Sequence, residues 1–148
     1  MGIDLFEIVD AIRMRPTHAN IRTPGFGVGG YCLTKDPLFG KLVATELWDA
    51  PMEFPFVTAA VRINYESPRV TLDRVRLMVG GTLAGQRILL LGISYRQDVG
   101  DTRYSPSETF VRAAVEAGAE VVAHDPLVEH WDELDRDVPD EIPTADGF

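Results

Sequence analysis

The residues best equipped for covalent chemistry lie in one run, Pro24-Gly25-Phe26-Gly27-Val28-Gly29-Gly30-Tyr31-Cys32-Leu33-Thr34-Lys35-Asp36-Pro37. Four glycines within six residues let a backbone approach something bulky, since glycine has no Cβ and accepts φ > 0. Cys32, the single cysteine, follows at once, with Lys35 and Asp36 three and four positions later. A thiol attacks as thiolate, and a nearby cation favours that form. The same run also reads as a glycine-rich turn around a buried, inert cysteine, because free cysteine is among the most buried residue types. Loop composition alone does not separate the two readings.

Residues 94–103 form a second group. Arg96 and Arg103 carry planar forks of donors that suit phosphate oxygens, while Asp98 and Asp101 in the same stretch could absorb both arginines by pairing. No G-x-G-x-x-G follows the apolar run at 88–91, which disfavours a dinucleotide site there. His18, His124 and His130 are scattered, and none has a cysteine or histidine at metal-ligand spacing.

The net charge of −9 is concentrated at one end: from Glu129 onward there are eight acidic residues and one arginine. That segment reads as a solvated acidic surface. The absence of a basic stripe argues against nucleic acid. No apolar run approaches the roughly 20 residues of a membrane span, and no signal peptide precedes the first helix. A lone cysteine forms no internal disulfide, which points to a reducing, cytoplasmic setting.

The elements that must position these groups follow from periodicity. Residues 3–14 read as an amphipathic helix burying Leu5, Ile8, Val9 and Ile12, with Asp4 and Glu7 as a capping box and Pro16 as its stop. A short helix is expected at about 37–45. A long helical pattern spans 55–79, with Val57, Ala60, Val61 and Asn64 on one face before Pro68 and Leu72, Val75 and Val79 after it. Pro68 removes an amide donor, so a kink or break is expected just before it. Ile88-Leu89-Leu90-Leu91 reads as a parallel strand buried on both faces. Ser105-Pro106-Ser107-Glu108 is a helix start, with Ser at N-cap, Pro at N1 and Glu at N3. Phe110, Val111, Ala114 and Val115 give the buried face of that helix, and Gly118 ends it. Glu120-Val121-Val122-Ala123-His124 is a second strand. Strand, helix and strand with short links make a right-handed βαβ unit. A third strand is expected near 142–147. The sequence looks cut at both ends, opening on a bare helix and closing inside a fold.

Together the two chemical segments carry a resemblance. The run from Phe26 to Asp36 resembles the catalytic-cysteine loop of the nucleotide-sugar (UDP-glucose, UDP-N-acetylmannosamine, GDP-mannose) dehydrogenases. Tyr95-Arg96-Gln97-Asp98-Val99-Gly100-Asp101-Thr102-Arg103-Tyr104-Ser105-Pro106 is similar to that family's nucleotide-sugar-binding loop, in the same order and at about the same separation. Asn64 to Pro68 and Gly118 to Pro126 fit as well. The resemblance implies an α/β fold. A helical end of the central, dimerising domain (1–80) with a long helix would lead into a partial Rossmann-like βαβ domain with a parallel sheet (81–148), the first part of the UDP-sugar-binding domain.

For function, the resemblance implies an NAD-dependent oxidoreductase that takes the C6 alcohol of a UDP-sugar to a carboxylate in polysaccharide biosynthesis. Cys32 would form a thiohemiacetal and then a thioester that water hydrolyses. Lys35 would supply positive charge, and Asp36 would orient Lys35 or the water. Phe26, Gly27, Gly29, Gly30, Tyr95 and Arg96 would meet the UDP-sugar, with the glycines letting the loop pack against it. Arg103 would reach across a homodimer, formed through the long helix, toward the neighbouring cofactor and active site. Arg96 stands where the glucose-type enzymes usually have Lys, and Tyr104 replaces a common Glu. Val28 and Asp36-Pro37 lean toward the N-acetylhexosamine branch, Tyr31 and Lys35 toward the glucose branch. The family's NAD-binding domain has no counterpart here, so the chain is expected to be inactive alone. The alternative is a non-catalytic UDP-sugar-binding or dimerisation module.

Overall fold

In this computed structural model, which describes residues 2–50 and 52–144, three helices precede the first strand: α1 (Leu5–Arg13), α2 (Phe39–Glu46) and α3 (Pro55–Met78). Then come β1 (Arg87–Leu91), α4 (Pro106–Glu116), β2 (Glu120–His124) and a small hairpin of β3 (His130–Trp131) and β4 (Arg136–Asp137). β1 and β2 pair in parallel, from Arg87 opposite Glu120 to Leu91 opposite His124. The architecture is the α/β class the sequence predicts.

The core gathers around α4. Phe110, Val111 and Ala114 are buried as their spacing predicts, together with Leu90, Val121, Ala123 and, from α3, Leu72. Val115 is exposed instead, and Ala113 is buried in its place. β1 is covered on one face only. Leu90 turns into the core, whereas Leu89 and Leu91 are exposed, with nothing among the described residues lying over them. The continuous apolar run therefore signals a two-sided strand of which one side is bare.

Further expectations are corrected. α3 runs unbroken through Pro68. The proline removes the amide that would bond the Asn64 carbonyl, yet its ring is fully buried against neighbouring structure, and that packing outweighs one lost hydrogen bond. α1 buries only Val9; Leu5, Ile8 and Ile12 are exposed because the helix packs just on the short turn that follows it. Its Asp4 caps through the Phe6 amide at 2.8 Å, without the reciprocal Glu7 bond of a capping box among the described residues. The acidic segment after Glu129 is not merely a solvated surface. Trp131 and Val138 enter the core and the β3–β4 hairpin holds them there. No strand forms at 142–144, and the rest of the expected third strand lies outside the described residues.

The segment just after β1 is held from both ends. Asp125, following β2, accepts the amides of Ile93 (2.9 Å) and Ser94 (3.0 Å) on Oδ2 and that of Leu127 (3.0 Å) on Oδ1. From α4, Ser105 Oγ donates to the Ile93 carbonyl at 2.6 Å and Ser107 Oγ to the Gly92 carbonyl at 3.2 Å. Ser105 also caps its helix by accepting the Ser107 amide. Backbone that leaves a strand toward a ligand loop thus arrives already satisfied.

Burial pushes the Asp125 carboxyl up, but the amides of Ser94, Leu127 and Ile93 outweigh it and leave the group below its ordinary value. A carboxyl lowered by folding adds stability above its unfolded pKa of about 3.9, and that stability is lost as pH falls through the lower folded value. The urea midpoint is therefore expected to drop between about pH 5 and about pH 2, and Asp125→Asn to flatten that drop. An unchanged pH profile in the variant would show that Asp125 carries none of it.

Candidate functional site

The glycine loop is docked against the wall formed by residues 95–106. A Cβ on Gly29 would lie 2.7 Å from Tyr95 Cβ, 2.8 Å from Pro106 Cδ and 2.9 Å from the Tyr104 carbonyl oxygen. Only glycine fits that gap. Gly30 has φ +89°, and a Cβ there would meet the Tyr95 ring at 2.8 Å. The resemblance implies that Gly27, Gly29 and Gly30 let the loop pack against a sugar; Gly29 and Gly30 also press on the protein's own Tyr95.

Two other contacts fix the loop. Phe26 stacks on Phe110 with centroids 4.8 Å apart, joining the loop to the core. The Asn64 side chain grips Val28 at both backbone groups, accepting its amide and donating to its carbonyl at 2.7 Å each. Asn64 lies four residues before Pro68, so its own carbonyl lacks an intrahelical donor. Gly27 passes beside that carbonyl.

Between the loop and the post-β1 segment lies a cleft of about 670 Å³, within the usual range for small-molecule sites. Phe26, Gly27, Gly29, Tyr95 and Arg96 line it, and so does Arg22. Arg22 and Arg96 are exposed and neither has an ion-pair or hydrogen-bond partner among the described residues. Arg103 behaves oppositely: its Nε and Nη2 bind Asp101 at 2.9 and 2.7 Å. The pairing reading of the loop arginines thus holds for Arg103 and not for Arg96. Side-chain and backbone hydrogen bonds from Arg103 hold the Asp101 carboxyl down at about 2, and Arg103 is raised in turn.

Cys32 is exposed, which removes the buried-cysteine reading. It sits in a tight turn whose carbonyl, that of Cys32 itself, accepts the amides of Lys35 (3.1 Å) and Asp36 (2.9 Å). Thr34 Oγ1 closes the turn on the Gly30 carbonyl at 2.8 Å. Lys35 Nζ donates to Asp36 Oδ1 at 2.6 Å, and chiefly for that reason its pKa is raised. Cys32, Lys35, Asp36, Gly30 and Arg103 do not line the cleft, although Leu33 beside the thiol does.

Sequence reasoning gave no site role to Arg22, Tyr31, Asn64 or Asp125. Asn64 was signalled by its place four residues before a proline inside a helix. Asp125 stands at the end of a strand parallel to β1, where a carboxylate faces the neighbouring strand's terminal amides. Arg22 gave no signal beyond its charge. Among the described residues no group of His, Cys, Asp and Glu is arranged to hold a metal, and no helix is long and apolar enough to cross a membrane. Nor do these residues fit NAD: the amides after β1 that a pyrophosphate would need are taken by Asp125, and no glycine fingerprint follows the strand.

A cleft of small-molecule size at the carboxyl end of parallel strands, with a thiol-bearing glycine loop docked beside it, defines an α/β protein with a candidate ligand site. The chain belongs to the UDP-glucose/GDP-mannose dehydrogenase family: residues 1–66 match its central domain and residues 89–146 its UDP binding domain. It is 31% identical over 134 residues to UDP-N-acetyl-D-mannosamine dehydrogenase of Pyrococcus horikoshii, covering 86% of this chain and 29% of that one. It is 36% identical over 103 residues to UDP-glucose 6-dehydrogenase of Rhizobium meliloti, covering 69% and 23%. The solved NDP-N-acetyl-D-galactosaminuronic acid dehydrogenase of Methanosarcina mazei superposes with a TM-score of 0.75 at 25% identity, over 97% of this chain and 32% of that one. The chain thus spans between a fifth and a third of the length of these relatives.

Because overpacking at a tight contact costs about 1–3 kcal/mol, Gly29→Ala is expected to lift the loop from Tyr95 and speed amide exchange at Val28 by roughly tenfold or more. Exchange at the wild-type rate would show that the loop does not depend on this contact.

Proposed function

We propose that this chain is the thiol-bearing and UDP-sugar-binding part of an NAD-dependent nucleotide-sugar 6-dehydrogenase. Two segments make it up, a helical one at 1–80 and an α/β one at 81–148. The observation that carries this reading is the pair of unpartnered arginines, Arg22 and Arg96, in a cleft beside an exposed thiol. Guanidinium groups without carboxylate partners suit a diphosphate. Phe26 and Tyr95 offer apolar surface for a base or sugar face.

Cys32 would bond to the C6 aldehyde carbon as a thiohemiacetal, which on loss of a hydride becomes a thioester that water hydrolyses to the carboxylate and the free thiol. NAD, held by residues other than those described, supplies the hydride acceptor. Lys35, oriented by Asp36, lends positive charge at the thiol turn. Arg103, now closed on Asp101, becomes available to a neighbouring protomer's active site when that pair opens. The cytoplasm is the setting in which such a thiol stays reduced.

UDP is expected to bind the chain in calorimetry, and Arg96→Ala to weaken it roughly tenfold. Mixed with a UDP-sugar and NAD, the chain by itself is expected to form no NADH, whereas iodoacetamide alkylates Cys32 at neutral pH. An inert thiol with UDP binding intact would favour the non-catalytic binding module; no UDP binding at all would remove the reading.

The homodimer is proposed through α3. Phe56, Ile63, Val70 and Leu77 repeat every seven residues along the helix and are 58–84% exposed, on the face away from Leu72. A strict seven-residue apolar repeat suits pairing with a second copy of the same helix. Ile63→Glu with Val70→Glu is expected to yield a monomer in sedimentation with unaltered helix content. A wild-type monomer would dismiss this interface.

A further inference from the structure

We propose that Tyr31 is a positioning residue that gathers two cations at the Cys32 turn and so sets the electrostatic field at the thiol. Resting on the reading of Cys32 as a nucleophile, it adds a residue to the site that neither composition nor the cleft lining singles out. The Lys35 ammonium lies 4.7 Å from the centroid of the Tyr31 ring, and the Arg103 guanidinium carbon 5.5 Å from it. Both are within cation–π reach. Tyr104 meets the same ring edge-on at 5.5 Å, fixing its orientation, and Tyr104 itself holds a left-handed backbone with φ +54°. A bulky side chain in that region is strained and persists only when its surroundings hold it there.

The two cations come from segments far apart in sequence. Lys35 belongs to the cysteine turn and Arg103 to the loop after β1; Tyr31 joins them one residue before the thiol. Each cation also has its own carboxylate, Asp36 at 2.6 Å and Asp101 at 2.7 Å, so the four charges sum to zero. What the thiol experiences is then decided by orientation rather than by net charge. A ring that attracts both positive ends biases those poles toward Tyr31, one residue before Cys32. Phe39 gives Lys35 a second ring at 4.9 Å, but Arg103 has no second ring contact among the described residues. Loss of the Tyr31 π-face therefore releases Arg103 first.

The test compares alkylation of Cys32 by iodoacetate, an anion, with alkylation by iodoacetamide, a neutral reagent of nearly the same shape. The ratio of the two rates reads the local field, whereas a change in exposure or folding moves both rates together. Tyr31→Leu keeps bulk without a π-face and is expected to lower the ratio by about threefold, as befits an exposed cation–π contact. Tyr31→Phe keeps the face and is expected to preserve the wild-type ratio. A Tyr31→Leu ratio equal to wild type overturns the proposal while leaving the nucleophile reading intact, as does an equal fall in the Phe and Leu variants. A wild-type thiol inert to both reagents overturns the nucleophile reading and this proposal with it.

Discussion

The architecture of the site depends on one close approach, that of the Gly29 backbone to Tyr95, Pro106 and the Tyr104 carbonyl. It is the point at which the thiol-bearing glycine loop meets the wall formed by residues 95–106, which carries Arg96. Any side chain at Gly29 would separate the two. The other loop contacts, the Phe26–Phe110 stack and the Asn64 grip on Val28, flank this gap. Directional hydrogen bonds then fix what van der Waals contact has brought close.

A wall that accepts such an approach must itself be rigid. Hydrogen bonds to the backbone after β1 stiffen it: Asp125 accepts the Ile93 and Ser94 amides, while Ser105 and Ser107 donate to the Ile93 and Gly92 carbonyls. A strand end with open amides could receive an anion directly, as helix and strand termini do in dinucleotide sites. Here those donors are already used, so anion recognition shifts from backbone to side chains. Under the proposed function, Arg22 and Arg96 are the groups left to perform it. The same bonds that stiffen the wall therefore change which chemistry its rim can do.

The sequence made local structure legible and long-range contacts much less so. The cap at Ser105, both strands of the parallel pair and the buried face of α4 were readable because each rests on neighbours within a few residues. Pro68 was misread for the same reason. The local rule predicts a break, but burial of the ring and continuity of the packed face override it. Composition misled at the acidic end, where averaging over many carboxylates hid Trp131 and Val138. Of the site, the thiol, Lys35–Asp36 and Arg96 were legible as chemical types. That the glycines serve contact with Tyr95 was not, since the partner lies some sixty residues away in sequence and nothing in a glycine names what it touches.

The pairing of Lys35 with Asp36 and of Arg103 with Asp101 bears on how an anionic substrate would be handled. An isolated cation attracts at long range, whereas a closed ion pair presents a dipole whose field falls off faster and is weakened further by solvent at an exposed site. Arg22 and Arg96, unpartnered among the described residues, are thus the groups able to draw a diphosphate into the cleft. The paired cations act only on what is already close, at the thiol turn. Had Lys35 and Arg103 also been unpaired, phosphate groups could settle against them and cover the nucleophile. Under the proposed function, carboxylates on these two cations would keep the thiol turn clear for chemistry while the cleft does the binding. The separation of the two sets of charges follows from their covalent neighbours, Asp36 beside Lys35 and Asp101 two residues before Arg103, and so is written into the chain at the shortest range of all.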